Sequence, residues 1–293
     1  MSTLYVLAGP TASGKTELSL QFAQKNNCEI ISCDASSFYR GMDIGTAKPT
    51  KNEQSCVKHW AVDIVNPNEP FSIKDYVTYI QEWVKDIVSR GKNILVVGGS
   101  GFYLNSFLAP VVDDVSASDE IISHVNDVEL RDGLEGLRKE LAKYNKTFPA
   151  NFDFKNPRKV KKALMRCLAT GKSLEALLNN FQSQNEPFPF LKKEIYGIVC
   201  PQEILKQRIV IRVEKMLQAG LLEEVKDLLS KNILIPGTPA GMAIGYRETI
   251  SYLDNPTSLH FLSNQIIENT YMLAKKQTTW FRHQIKFDRY IFV

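Results

Sequence analysis

The sequence lacks any Cys-x-x-Cys pair. Its five cysteines, Cys28, Cys33, Cys56, Cys167 and Cys200, are scattered, which argues against a zinc site or disulfide framework and for reduced, mostly buried thiols. The four histidines, His59, His124, His260 and His283, show no ligand spacing, so no protein-held transition metal is expected. No apolar run approaches the roughly 18 residues of a membrane-spanning helix. The first ten residues carry no basic segment followed by a cleavable apolar stretch. A cytoplasmic protein without membrane contact is the expectation. Internal repeats and low-complexity segments are missing as well. With 293 residues, 44% hydrophobic and 23% charged, the composition is that of a globular chain long enough for about two domains.

What is present begins at Gly9-Pro10-Thr11-Ala12-Ser13-Gly14-Lys15-Thr16, which fits the phosphate-cradling pattern G-x-x-x-x-G-K-[ST]. Its flanks fit too. Leu4 to Ala8 reads as a buried strand, and Glu17 to Ala23 continues as an amphipathic helix. In that geometry backbone N–H groups and a helix N-terminus surround an anion, Lys15 reaches outer phosphate oxygens and the Thr16 hydroxyl can ligate magnesium. The loop alone does not choose among kinases, nucleotide hydrolases and diphosphate-dependent transferases.

Further strands are predicted at Glu29–Cys33, Trp60–Ile64, Asn93–Val97 and Tyr196–Cys200, with near-continuous apolar runs that suit a parallel sheet covered on both faces. Ile73, Tyr76, Val77, Ile80, Val84, Ile87 and Val88 recur at helical steps, with Ser72 placed to cap and Gly91 after the end. The fold class is therefore α/β, a parallel sheet covered by helices with ligands at the carboxyl ends of its strands. Between about Val112 and Glu194 strand-like runs give way to helical spacing, as in Leu130, Leu134, Leu137 and Leu141, then Val160, Leu164, Cys167 and Leu168. The expected organisation is a core over 1–111, a helical insertion over 112–194 and the rest of the core over 195–293. A long helix from Gln202 to Lys231 and a final helix of about twenty residues through Trp280 complete it.

Net charge is only +4, but unevenly placed. Asp113 to Glu135 holds eight acidic residues against Arg131 alone; Lys155 to Lys172 holds seven basic residues and no acidic one; Lys275 to Arg289 holds five against Asp288. Such stripes suit a polyanion, although one isolated run is more commonly a solvated helix face.

Asp34, just past the second strand, can accept a proton from an attacking group, or merely cap a turn. Gly98-Gly99-Ser100-Gly101 ends the fourth strand, where Ser100 faces the same cleft or simply closes a tight turn. Arg208 and Arg212 share a helix face and could clamp phosphate oxygens or cover apolar neighbours. Asp43 and Lys48, in Gly41-Met42-Asp43-Ile44-Gly45-Thr46-Ala47-Lys48-Pro49, could be structural partners or substrate contacts.

With the phosphate loop, Asp34 to Tyr39, Gly41 to Pro49, Gly98 to Tyr103, Ala243-Ile244-Gly245-Tyr246-Arg247 and Lys276-Gln277-Thr278-Thr279-Trp280-Phe281-Arg282 all in order, the chain resembles the tRNA isopentenyltransferase family along essentially its whole length. The resemblance implies a P-loop fold with a helical insertion that transfers a dimethylallyl group from its diphosphate to the exocyclic amine of the adenine beside the anticodon. It implies that Gly9 to Thr16, with Arg208 and Arg212, hold dimethylallyl diphosphate. Lys15, Thr16 and Mg2+, the ion held partly through substrate and water, would stabilise the departing diphosphate. Asp34 becomes the base or acceptor for the amine, assisted by Ser100. The tRNA anticodon stem-loop is expected to meet Asp34, Ala35, Ser36, Ser37, Ser100, Arg158, Lys159, Lys161, Lys162, Arg247, Lys275, Lys276 and Arg282. The protein is expected to act as a monomer. Where the family usually has Ser, Gln and Thr this chain has Ala35, Ser37 and Ser100, and Met242 replaces a Gln or Arg; the hydroxyl survives at 100, and the other changes bear on how the adenine is read. Three rivals stand beside this reading: a small-molecule kinase, an adenylate isopentenyltransferase using a free nucleotide, and a non-catalytic RNA-binding protein.

Overall fold

Apolar residues on both faces of a strand require cover on both faces, and the architecture meets that demand. The computed structural model describes residues 2–112 and 115–293. Asp113 and Asp114, the first two members of the acidic run, lie outside the described residues. Six strands form one parallel sheet: β1 (Thr3–Ala8), β2 (Cys28–Ser32), β3 (His59–Trp60), β4 (Asn93–Gly98), β5 (Lys192–Val199) and β6 (Arg289–Phe292), in the order β3-β2-β4-β1-β5-β6. The helices are α1 (Lys15–Lys25), α2 (Lys51–Cys56), α3 (Ile73–Ser89), α4 (Gly101–Asn105), α5 (Asp119–Tyr144), α6 (Pro157–Thr170), α7 (Leu174–Gln182), α8 (Gln202–Gln218), α9 (Leu221–Ser230), α10 (Tyr246–Asp254) and α11 (Leu259–Gln284), with a 3-10 turn at Ala35–Phe38.

The chain divides into two compact units, Met1–Leu108 with Phe188–Val293, and Ala109–Pro187. In the first, Leu4, Val6, Ile31, Ile94 and Val96 of the sheet pack with Tyr76, Ile80, Val84 and Ile87 of α3. Full burial of side chains of this size contributes roughly 1.5–3 kcal/mol each. Ser72 accepts from Asp75 N while Asp75 answers Ser72 N, a capping box that starts α3 where the sequence placed the cap. The chain rejoins the first unit at Phe188, whose ring lies 5.9 Å from Phe107. The second unit has its own core of Val125, Val128, Leu137, Leu141, Val160, Leu164 and Cys167.

Three sequence expectations change. The strand predicted over Trp60–Ile64 is only His59–Trp60, because the left-handed conformations of Ala61 and Asp63 turn the chain out of the sheet. The helix predicted from Gln202 to Lys231 is two, α8 and α9, broken at Gly220 with φ 97°. Leu130, counted among the core-facing leucines of the insertion, is 85% exposed; α5 kinks at Gly133, so the spacing is not continued through one straight helix. The strand β6, at the sheet edge, was not read from the sequence at all.

Candidate functional site

The phosphate loop joins β1 to α1. Ala12 (φ 62°) and Gly14 (φ 85°) take left-handed conformations, Ser13 N donates to Pro10 O (3.3 Å), and Gly14 is the N-cap of α1. A Cβ on Gly9 would stand 2.9 Å from Ile198 Cβ, so the loop can leave the sheet this closely only without a side chain. Lys15 Nζ donates to the carbonyls of Gly9 (3.0 Å) and Pro10 (2.6 Å). Burial lowers its pKa to about 8, against the pull of the Asp34 carboxylate and with the push of Arg212.

Asp34 follows β2 and caps the 3-10 turn: its Oδ1 accepts from Ser36 N (3.2 Å) and Ser36 Oγ (2.7 Å). The neighbouring turn comes from β4. A Cβ on Gly98 would lie 2.4 Å from Cys33 O, so glycine alone lets the two strand ends approach. Ser100 N then donates to Cys33 O (3.1 Å), and Ser100 Oγ accepts from Ala35 N (3.4 Å).

Two cavities meet at these groups. One, of about 360 Å³, is lined by Thr11, Ala12, Gly14, Lys15, Thr16, Glu53 and Arg208. The other, of about 460 Å³, is lined by Ala35, Ser36, Tyr39, Phe71, Ser100, Tyr103, Met242 and Gln277. Thr11, Asp34, Thr46 and Arg212 line both. A polar chamber lined by Lys15, Arg208 and Arg212, with Glu17 and Glu53 also on its wall, therefore opens past Asp34 onto a larger and more apolar one. Burial lowers the pKa of Arg212, while Asp34 raises it; its Nη1 donates to Thr11 Oγ1 (3.4 Å) and its Nη2 to Thr46 O (3.0 Å). Among the described residues no three His, Cys, Asp or Glu side chains cluster as metal ligands. The Thr16 hydroxyl and the Asp34 carboxylate nevertheless share the smaller chamber, so a divalent cation fits there if a bound diphosphate and water complete its oxygen ligands.

The expected substrate residues are not all presented alike. Ser37 is buried, its hydroxyl donating to Asp34 O (2.7 Å), and it faces a small cavity behind Lys15 instead of the larger chamber. Ser13 is fully buried, and its hydroxyl has no partner among the described residues. Arg247 Nε donates to Glu248 Oε1 (2.6 Å). Arg208 lines the smaller chamber with Lys15 and Arg212. Arg158, Lys159 and Lys162 are exposed on α6, whereas Lys161 is drawn into an ion pair with Glu129 of α5. Lys275, Lys276 and Arg282 are exposed on α11, Lys275 Nζ lying 4.5 Å from the centre of the Tyr271 ring.

Sequence reasoning left Asp43 and Lys48 open between structural partners and substrate contacts, and did not find the other groups that hold the loops in place. Asp43 and Lys48 prove to be structural partners: Lys48 Nζ donates to Asp43 Oδ1 (2.8 Å), Asp63 Oδ1 (2.5 Å) and Tyr39 O (2.5 Å). Glu224 of α9 accepts from the backbone N–H of Asp43 (3.0 Å), Ile44 (2.8 Å) and Gly45 (3.3 Å), and from Tyr246 Oη (2.5 Å). Gln277 Oε1 accepts from Thr11 N (2.7 Å). Trp280 packs on Gly101, where an added Cβ would fall 2.1 Å from its ring. Gly45 and Gly101, against which Tyr246 and Trp280 sit, were the sequence signal for this close packing.

A family model described as IPP transferase matches residues 37–284. The chain belongs to the IPP transferase family. It is similar to the tRNA dimethylallyltransferase of Opitutus terrae, 44% identical over 96% of this chain and 90% of that one. Among solved structures it is similar to the full-length tRNA isopentenylpyrophosphate transferase of Bacillus halodurans, with TM-score 0.70 and 31% identity over 100% of this chain and 90% of that one. A eukaryotic dimethylallyltransferase, solved acting on tRNA, superposes with TM-score 0.85 and 26% identity over 96% of this chain and 70% of that one. No helix among the described residues is long and apolar enough to cross a membrane.

Proposed function

We propose that the protein transfers a dimethylallyl group from dimethylallyl diphosphate to N6 of the adenine 3′-adjacent to the anticodon, in tRNAs reading codons that begin with U. The family and its relatives support the reaction. The observation that carries the assignment to this site is that Asp34 lies on the wall shared by the anion chamber and the larger chamber. The diphosphate takes the first, held by the loop N–H groups, Lys15, Arg208 and Arg212. The dimethylallyl chain and the adenine meet in the second. The N6 lone pair forms the new bond to the allylic carbon, the carbon–oxygen bond breaks, and its electron pair leaves with the diphosphate. Asp34 accepts the N6 proton, and the Ser100 hydroxyl helps hold the amine. Mg2+ would be held by the Thr16 hydroxyl together with substrate and water oxygens, and would supply charge neutralisation for the leaving group. Turning the adenine out of a single-stranded loop costs a few kcal/mol. The exposed Arg158, Lys159 and Lys162 of the insertion, with Lys275, Lys276 and Arg282, hold the RNA backbone. The protein acts as a monomer in this reading, and a tRNA substrate accords with a cytoplasmic location.

The test is transfer of labelled dimethylallyl to an anticodon stem-loop with magnesium, beside a control with guanine at the target position. Incorporation into the adenine substrate alone is expected. Binding of the RNA without incorporation would refute the catalytic reading, and neither incorporation nor binding, with ATP consumed instead, would return the chain to the kinases.

A further inference from the structure

Gln277 has one end of its carboxamide fixed and the other free. The group facing the phosphate loop meets Thr11 N–H at 2.7 Å, and since an N–H can only donate, that end must be Oε1. The Nε2 end is thereby defined as a donor. It lies beside Gly99, where an added Cβ would fall 2.5 Å from it, and it makes no hydrogen bond among the described residues. Gln277 lines the larger chamber together with Asp34 and Ser100. A half-buried amide with a locked orientation and an unused donor, opening into a chamber shared with the proton acceptor, is arranged to meet a hydrogen-bond acceptor.

An adenine whose N6 is brought to Asp34 carries two such acceptors flanking the amine, N1 on one side and N7 on the other. We propose that Gln277 reads the acceptor base, with Nε2 donating to N1 or N7 while Oε1 holds the crest of the phosphate loop. This rests on the acceptor being the tRNA adenine. The same side chain thus ties the seat of the diphosphate to the seat of the base. Because Thr11 also receives Arg212 Nη1, the tie reaches the guanidinium that lines both chambers. The segment around Gln277 divides its labour: Lys275, Lys276 and Arg282 point to solvent, and Gln277 and Trp280 point to the chemistry.

The experiment is a cycle between this side chain and the base. Stem-loops carrying adenosine, 1-deazaadenosine or 7-deazaadenosine at the target position are prenylated by the wild type, by Gln277→Met and by Gln277→Glu, and kcat/KM for the RNA is compared. The wild type should lose about 5- to 10-fold with one of the two analogues, the size of one lost hydrogen bond. That penalty should disappear in Gln277→Met. In Gln277→Glu, which keeps an acceptor for Thr11 N–H but sets a carboxylate against the ring nitrogen, the same analogue should react as well as adenosine or better. Each result is a ratio within one enzyme, so general damage to the fold does not mimic it. The proposal is overturned if both analogues react like adenosine with the wild type, or if the penalty persists unchanged in both variants. A wild type that fails to modify the adenosine stem-loop at all would instead overturn the reading of the function itself, and the proposal with it.

Discussion

Two basic stretches that look alike along the chain, α6 and the end of α11, differ in what their other faces do. Behind Arg158, Lys159 and Lys162 the inward face of α6 is Val160, Ala163, Leu164 and Cys167, packed into the core of the insertion and remote in kind from any chemistry. Behind Lys275, Lys276 and Arg282 the inward face of α11 carries Gln277 on the phosphate loop and Trp280 on the Gly101 turn. The same charge pattern therefore backs onto a hydrophobic core in one region and onto the P-loop and the Gly101 turn in the other, which in the proposed function makes the first a handle for RNA and the second a brace of the chambers. A charge stripe says what a face can attract; what its back touches says whether damage there is felt as lost grip or as lost chemistry.

The comparison is sharpened first by removing chemistry alone. Asp34→Asn keeps the acceptor for Ser36 N and removes the negative charge, so kcat should fall by about 10²- to 10⁴-fold while the RNA dissociation constant moves less than about threefold. Rapid-quench transfer assays beside filter binding check it, and a variant that retains most of its activity would move the base elsewhere. Next comes the brace. Gly101→Ala forces a Cβ into the Trp280 ring, and overpacking of this kind costs about 1–3 kcal/mol, read as a lowered unfolding midpoint together with a reduced kcat. Then the handle: Arg158→Ala, Lys159→Ala and Lys162→Ala combined should weaken stem-loop binding about tenfold near physiological salt and reduce the salt slope by about 2, at roughly 0.7 per lost phosphate contact. Neither the unfolding midpoint nor kcat at saturating RNA should change. If the α6 variant lost kcat, or the Gly101 variant lost only affinity, the division between handle and brace would be wrong.

Much of this frame was legible before any coordinates. The strand, loop and helix around Gly9 to Thr16 follow from local rules, namely a buried apolar run, glycines where φ is positive and a lysine at the helix start, so the phosphate chamber could be placed from eight residues. Asp34 and Ser100 were readable as two strand-end turns, and what brings them together is the close pass of Gly98 by Cys33. The loop from Gly41 to Pro49 was readable as ordered but not as held, because Glu224 lies some 180 residues away in sequence and long-range pairing leaves no local periodicity. Gln277 was visible only as one letter of a motif, since nothing in the sequence says that its helix crosses the phosphate loop. Ser37 was named only through the family resemblance, and nothing local in the sequence shows that the tight 3-10 turn folds its hydroxyl back onto Asp34 O.

The smallest expected effect tests whether the lysine of the loop is as poised as its surroundings make it. Lys15 has a folded-state pKa of about 8 against an ordinary value of 10.5, chiefly because burial disfavours the ammonium. Between those two values the unfolded chain binds a proton that the folded protein has released, so stability rises with pH across that window, and below about pH 8 the full cost of the buried charge is borne. Diphosphate binding has the opposite sign. The anion needs the ammonium, so above about pH 8 binding must take up a proton and the dissociation constant of inorganic diphosphate should rise, by at most about tenfold per pH unit. Calorimetric titration in two buffers of different ionisation heat measures that uptake directly. In Lys15→Arg, whose guanidinium stays charged, the lysine's share of the uptake should vanish, leaving only the exchange from the diphosphate's own last ionisation. A wild type with no proton uptake at pH 9 would mean that the carbonyls of Gly9 and Pro10, together with Asp34, hold the ammonium more firmly than burial drives it out.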